Sequence, residues 1–332
     1  MRWLVITATW LGFTVMCIAC RARPETSGFD AAKIETGPSR APPADDALAA
    51  PSPTDSAAQL APDLAYDRQA DLQAWAAEAR RQLGAQTVIR VEGDVFVLAA
   101  PRASPKFDQA AVLARQALEA FYGGGRFTKR PDRAVSAFIF DAQGPFDAHC
   151  RALVGANPEP LLGAYSLKTR TICVNAGPGA STLVHEMVHP IIQTDFPHAP
   201  AWIDEAIASL YESPIFPKQG EIEGVTNWRL ARLQHALDSA ADKDKLRVDA
   251  LFVMSDADFR GRDIDLHYAV ARFFAQWLDA RRALWPFYCG WRDGYTDDKS
   301  GEKAFRAAVG TMPAEVNGEW IAWVRQLSGR SR

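Results

Sequence analysis

The sequence predicts an α+β fold, and two observations carry that expectation. Runs with strand character fall between residues 87 and 175, whereas from Ser181 onward the apolar spacing is almost wholly helical. No internal repeat is evident, which removes solenoids and propellers. The 332 residues are 48% hydrophobic and 23% charged, enough apolar surface for one sizeable core. The formal net charge of −3 comes from interspersed acids and bases. Without a basic stripe or arm, nucleic acid is not an expected partner.

The chain opens on a segment unlike the rest. Arg2 precedes an uncharged apolar stretch, Trp3–Ala19, a little short of the ~30 Å that a membrane-crossing helix must span. It ends in Cys17-Ile18-Ala19-Cys20 and turns polar at Arg21. An apolar run, a small residue and then cysteine resembles the bacterial lipoprotein signal, although Cys17 stands where that signal normally has a leucine-like residue. The resemblance implies a signal peptide over 1–20, a lipid on Cys20 and a membrane-anchored protein of the cell envelope, facing the periplasm in a Gram-negative host. An ordinary signal peptide or an uncleaved anchor would export the chain equally.

Residues 21–64 are rich in Ala, Pro, Ser, Thr and Asp, with prolines from Pro24 to Pro62 and no apolar period. Such a stretch cannot bury enough surface to offset its ordering entropy, so it is expected to be a disordered tether. Of the remaining cysteines, Cys150 and Cys173 form the favoured pair in an oxidising compartment, leaving Cys289 over. The alternative is three buried free thiols.

Residues 65–330 read as the folded body. Leu72, Trp75, Ala76, Ala79 and Leu83 recur at helical spacing, with Gly84 as the stop. Thr87–Val91 and Val95–Leu98 flank Gly93-Asp94, a tight-hairpin signal. A helix over Phe107–Tyr122 runs into Gly123-Gly124-Gly125, and Ala134–Phe140 reads as a buried strand. A helix around Phe146–Val154 and two short strands, Ala164–Leu167 and Thr171–Asn175, follow.

The run that carries chemistry is Ser181-Thr-Leu-Val-His185-Glu186-Met-Val-His189. Helical residues four apart share a face, so His185 and His189 can offer imidazole nitrogens to one metal ion. Zinc suits such donors, and a catalytic site takes three protein ligands plus water. Glu186, beside the first histidine, is placed to take a proton from that water. Pro190 follows His189 directly, so the helix is expected to end or bend there.

Thirteen residues beyond His189 begins Trp202-Ile-Asp-Glu205-Ala-Ile-Ala208-Ser-Leu-Tyr-Glu212, with the spacing of an amphipathic helix and Glu205 sixteen residues beyond His189. Together the two runs resemble the gluzincins, zincin-fold metallopeptidases with a glutamate third ligand on the next helix, usually within W-x-x-E-G-x-A-x-x-x-E. Trp202, Glu205, Ala208 and Glu212 match in register, and Ala206 replaces the common glycine. The likeness is to small bacterial peptidase-like proteins of the collagenase-like, thermolysin-related kind, and extends through Leu251–Phe259 and Tyr268–Leu278. It covers about residues 130–327, with its specificity in 181–212.

The resemblance implies a zincin-like domain with a β-containing part over 65–194 and a helical part over 195–330. It implies that Glu205 completes the zinc ligands, that Tyr268 (or His267) steadies the oxyanion, and that Glu212 backs a ligand histidine. Zincins also pair substrate with an edge strand, expected here at Thr171–Asn175. Some zincins instead use a ligand six residues past the second histidine, here Asp195, after a glycine turn. Ile192 stands at that glycine position, which favours Glu205. His198, between Pro197 and Pro200, reads as a surface loop residue, and His149 and His235 as structural or surface. The expected function is zinc-dependent hydrolysis of a peptide or protein substrate. The competing expectation is a non-catalytic, peptidase-like envelope scaffold, and a structural zinc site is a third. Nothing in the pattern fixes an oligomeric state.

Overall fold

The computed structural model describes residues 16–17, 66–154 and 162–328. Cys20 and the 21–64 tether lie outside them. The elements run from a two-residue strand β1 (Met16–Cys17) to helix α1 (Arg68–Leu83), strands β2 (Val88–Glu92) and β3 (Phe96–Ala100), and helix α2 (Pro105–Gly123). Strand β4 (Val135–Phe140), helix α3 (Gln143–Val154), strands β5 (Gly163–Ser166) and β6 (Thr171–Asn175), and helices α4 (Thr182–Asp195) and α5 (Ala201–Leu210) come next. These are the elements the sequence predicts for 65–210, with ends shifted by a few residues. Beyond them lie a small hairpin of β7 (Pro214–Ile215) and β8 (Glu223–Gly224), then α6 (Arg229–Asp238), α7 (Val248–Leu251), α8 (Asp256–Phe259) and α9 (Ile264–Ala280). Helices α10 (Leu284–Gly294), α11 (Glu302–Val309) and α12 (Asn317–Gln326) close the chain.

Strands β5, β6, β4, β3 and β2 form a mixed sheet in that order, with β1 added antiparallel outside β5. The β3–β4 and β4–β6 pairs are parallel, and β2–β3 and β5–β6 antiparallel. The β2–β3 turn suits its residues: Gly93 and Asp94 both have positive φ (60° and 55°), and the Val95 N–H donates to the Glu92 carbonyl at 3.3 Å. The period of two sorts side chains cleanly onto the two faces. Phe96, Leu98, Val135, Ala137, Ile139, Ile172 and Val174 join the main core with α2 and α4. Ala99, Phe138, Phe140 and Cys173 belong to a second cluster with residues of α1 and α3. That makes three layers: α1 and α3, the sheet, then α2 and α4. The main core runs on without a break into α5, α9, α10 and α12, so the β-containing and helical parts share one interior.

Three expectations need correction here. Thr171–Asn175 is not an edge strand, because β6 lies between β4 and β5, with β1 outside β5. Cys150 and Cys173 are both buried free thiols, and Cys289 is a half-buried one; no disulfide forms among the described residues. Pro190 also fails to stop its helix, since α4 continues to Asp195. A proline there forgoes one backbone hydrogen bond, a cost offset where every residue of the turn is packed. Leu183, Val184, Met187, Val188, Ile191 and Ile192 are all buried around it. No described helix is long and apolar enough to cross a membrane.

Candidate metal centre

Helix α4 is sunk between the sheet and α5, and this puts its polar residues out of water. His185, Glu186 and His189 have no exposure, and neither does Glu205 on α5. Helix α5 is buried on all sides: each of its ten residues is inaccessible or nearly so. Trp202 anchors its first turn among Phe252, Phe287 and Trp291, with ring centroids 5.2, 6.3 and 5.7 Å away. Ala206 and Ala208 are fully buried small residues that let neighbouring helices close on α5.

One ligand atom from each of His185, His189 and Glu205 lies within 4.8 Å of the others, so this buried group could hold a metal ion. The two imidazole rings sit 5.0 Å apart at 74°. His185 Nε2 is 3.6 Å from Glu205 Oε2. Both ring nitrogens of His185 and both oxygens of Glu186 and Glu205 are buried without a hydrogen-bond partner. Buried polar atoms are normally satisfied, and isolated carboxylates are costly to bury, so the donor set fits a cation better than it fits a folding role.

The electrostatics agree with that fit. Burial pushes His185 down and its acidic neighbours only partly offset this, so it is a neutral imidazole, the form that binds metals. Burial alone would raise Glu205, but His189, His185 and Arg260 overcome it and hold the carboxyl at about 2. For Glu186 the balance is the other way: burial, reinforced by Glu205 and Asp204, outweighs the pull of His189 and pushes it well above the usual carboxylate range.

Each histidine is backed by an acid. His189 Nδ1 lies 2.9 Å from Asp204 Oδ1, which fixes the proton on Nδ1 and turns the Nε2 lone pair the other way. His185 Nδ1 lies 3.8 Å from Glu212 Oε2. Glu212 stands two residues beyond the end of α5, not on the helix as its spacing suggests. There it accepts from Asn227 and, at 2.5 Å to each oxygen, from Arg229. Burial would raise Glu212, yet Arg229, His185 and Arg272 together hold it below its ordinary value.

Asp195 is not part of this group. It is almost wholly buried, and it accepts from the Thr128 and Lys129 N–H groups, the Thr128 hydroxyl, Tyr288 and Arg292 at 2.7–3.1 Å. Its lone pairs tie α4 to α10, and none is left for a metal. His198 stacks on Tyr295, with centroids 4.7 Å apart. His267 Nδ1 is 3.0 Å from the Phe259 carbonyl. Tyr268 is buried on α9, its ring 5.2 Å from that of Phe259 and 5.9 Å below the Arg229 guanidinium. It joins the centre through Arg229 and Glu212 rather than as one of the three donors.

The motif spacing does not reveal four residues at this site: Asp204, Arg229, Arg260 and Gly163. Asp204 leaves a faint signal, an acid next to the ligand glutamate inside an apolar helix. Gly163 leaves another, a glycine opening a short strand. A Cβ on Gly163 would meet Glu186 Oε1 at 2.5 Å and Thr182 Cγ2 at 2.6 Å, so the Glu186 side chain lies directly against the β5 backbone. No protein-family model matches the chain, and no curated protein matches it either.

Proposed function

We propose that the chain is a zinc-dependent peptidase, lipid-anchored in the cell envelope through Cys20, acting on peptide or protein substrates. The observation that carries this reading is Glu186: a buried carboxyl with both oxygens unpartnered, next in sequence to one of three clustered metal donors. A helix with only a folding role gains nothing from such a group.

Held by His185, His189 and Glu205, zinc would polarise the scissile carbonyl and bring the pKa of water toward ~7. Glu186 takes the proton from the attacking water and hands it to the departing amine. Asp204 would keep the His189 imidazole in orientation, and the Glu212 carboxylate faces His185 at 3.8 Å. Tyr268 is the proposed oxyanion donor; it lies against Phe259, and the next residue, Arg260, faces Glu205. Extended substrate backbone would pair with the outer edge of β5, whose Gly163 touches Glu186. Met16–Cys17 pairs antiparallel with that same edge, and it belongs to the segment that cleavage before Cys20 would remove.

The full burial of His185, Glu186, His189 and Glu205 favours a second reading, a peptidase-like scaffold that keeps the metal and lacks turnover. Glu186→Gln separates the two. Under the peptidase reading it keeps its zinc and loses roughly 10²–10⁴-fold or more in hydrolysis of a broad peptide library. Absence of any hydrolysis by the wild-type, zinc-loaded chain would leave the scaffold standing.

A further inference from the structure

The two oxygens of Glu205 face different partners. Oε2 lies 3.6 Å from His185 Nε2, on the side of the clustered donors. Oε1 lies 3.6 Å from Arg260 Nη2. The Arg260 side chain is 20% exposed while that of Glu205 is fully buried. At that separation the contact is an ion pair rather than a hydrogen bond, and burial on the Glu205 side limits its screening.

Arg260 is held where it is by the helix that carries Glu205. Ser255 caps α8 by accepting from the Asp258 N–H at 3.1 Å, and the Arg260 N–H donates to the Asp256 carbonyl at 3.1 Å. Asp256 Oδ1 accepts from the Ala201 N–H at 2.8 Å, at the first residue of α5 and one turn before Glu205. The short helix and the long one are thus joined twice, by a cap and by an ion pair. The other buried arginines do a different job, since Arg229 serves Glu212 and Arg272 donates to the Val225 carbonyl and to Gln276.

We propose that Arg260 is a positioning residue that makes Glu205 a one-oxygen ligand. A carboxylate free to turn can grip a cation with both oxygens, and the second would fill the position that a catalytic centre keeps open for water. With Oε1 engaged by a guanidinium, which stays charged at every working pH, Oε2 alone is turned to the metal. The inference rests on the metal-centre reading and adds to it how the open position is kept.

The test compares the full chain with Arg260→Gln and Arg260→Lys, loaded with zinc or with cobalt as a spectroscopic stand-in. Arg260→Gln is expected to bind zinc about 10- to 100-fold more weakly in a chelator competition, the scale of losing a group that orients a ligand. Its cobalt form should show the weaker visible absorption of a higher coordination number, a change that a merely structural arginine would not cause. Arg260→Lys keeps the charge without the planar fork and should show the same spectral change in smaller degree. If Arg260→Gln does not fold, Arg260→Lys decides alone, and a wild-type cobalt spectrum in it overturns the proposal. Wild-type affinity and spectrum in Arg260→Gln overturn it as well. A wild-type chain that takes up neither metal removes the underlying centre, an outcome distinct from failure at Arg260.

Discussion

His189 Nδ1 and Asp204 Oδ1 lie 2.9 Å apart, and the two residues come from successive helices, α4 and α5. This contact sets the tautomer of His189 from the helix that also supplies Glu205. Asp204→Ala is therefore expected to weaken zinc binding by about 10- to 100-fold while leaving the fold intact. Chelator competition alongside far-ultraviolet circular dichroism checks it, and unchanged affinity would remove Asp204 from the centre.

Gly163→Ala should separate catalysis from metal binding. The added methyl would sit 2.5 Å from Glu186 Oε1, well inside contact distance, so the carboxyl must turn away. Zinc content is expected to stay near one per chain while hydrolysis falls toward the level of Glu186→Gln. A fully active alanine variant would mean that Glu186 does not work from its position against β5.

Glu205→Ala should lose the metal, and Asp195→Asn should keep it. Asp195 costs the protein in a different way. Its buried pair with Arg292 is broken by the asparagine, an effect of about 3–5 kcal/mol on unfolding. Burial tends to raise Asp195, but Arg292 and the N–H groups of Lys129 and Thr128 bring it below its ordinary 3.8. A depressed carboxylate stabilises the fold above its ordinary pKa and loses that contribution as pH falls through the folded value. The gap between wild type and Asp195→Asn should thus be full at neutral pH and narrow below about pH 4 in denaturant titrations. A zinc-free Asp195→Asn protein would reverse the ligand assignment.

Cys20→Ser should leave the precursor uncleaved or release the protein from membrane fractions. A single acyl chain is a marginal anchor, so firm attachment of the wild type would imply more than one. Normal processing and anchoring of the serine variant would point to another kind of export signal.

Much of this was legible in the sequence because helical spacing is a local property. His185 and His189 declare their shared face by spacing alone, and Trp202 and Glu205 follow at a distance the next helix can reach. The order of strands is not local. Thr171–Asn175 reads the same whether it is an edge or an interior strand, and only the pairing of Gly163–Ser166 outside it decides. Asp204 was hidden for a related reason. Residues 204 and 205 point about 100° apart on a helix, so an acid beside the ligand glutamate reads as readily as a residue at the margin of the buried face. Helix α5 is enclosed on every side, and both go in. Glu212 comes to 3.8 Å from His185 Nδ1 from a turn rather than a helix.

The absence of any exposure at His185, His189 and Glu205 makes metal exchange a question of rates as much as of affinity. An ion cannot enter or leave this centre unless packed structure around it opens, and such openings follow the local stability of the fold. At high chelator the loss of zinc should therefore reach a ceiling rate set by the protein's own breathing. A tightly packed centre of this kind would hold whichever ion it enclosed when it folded, so the metal supply at the site of folding would decide the occupant.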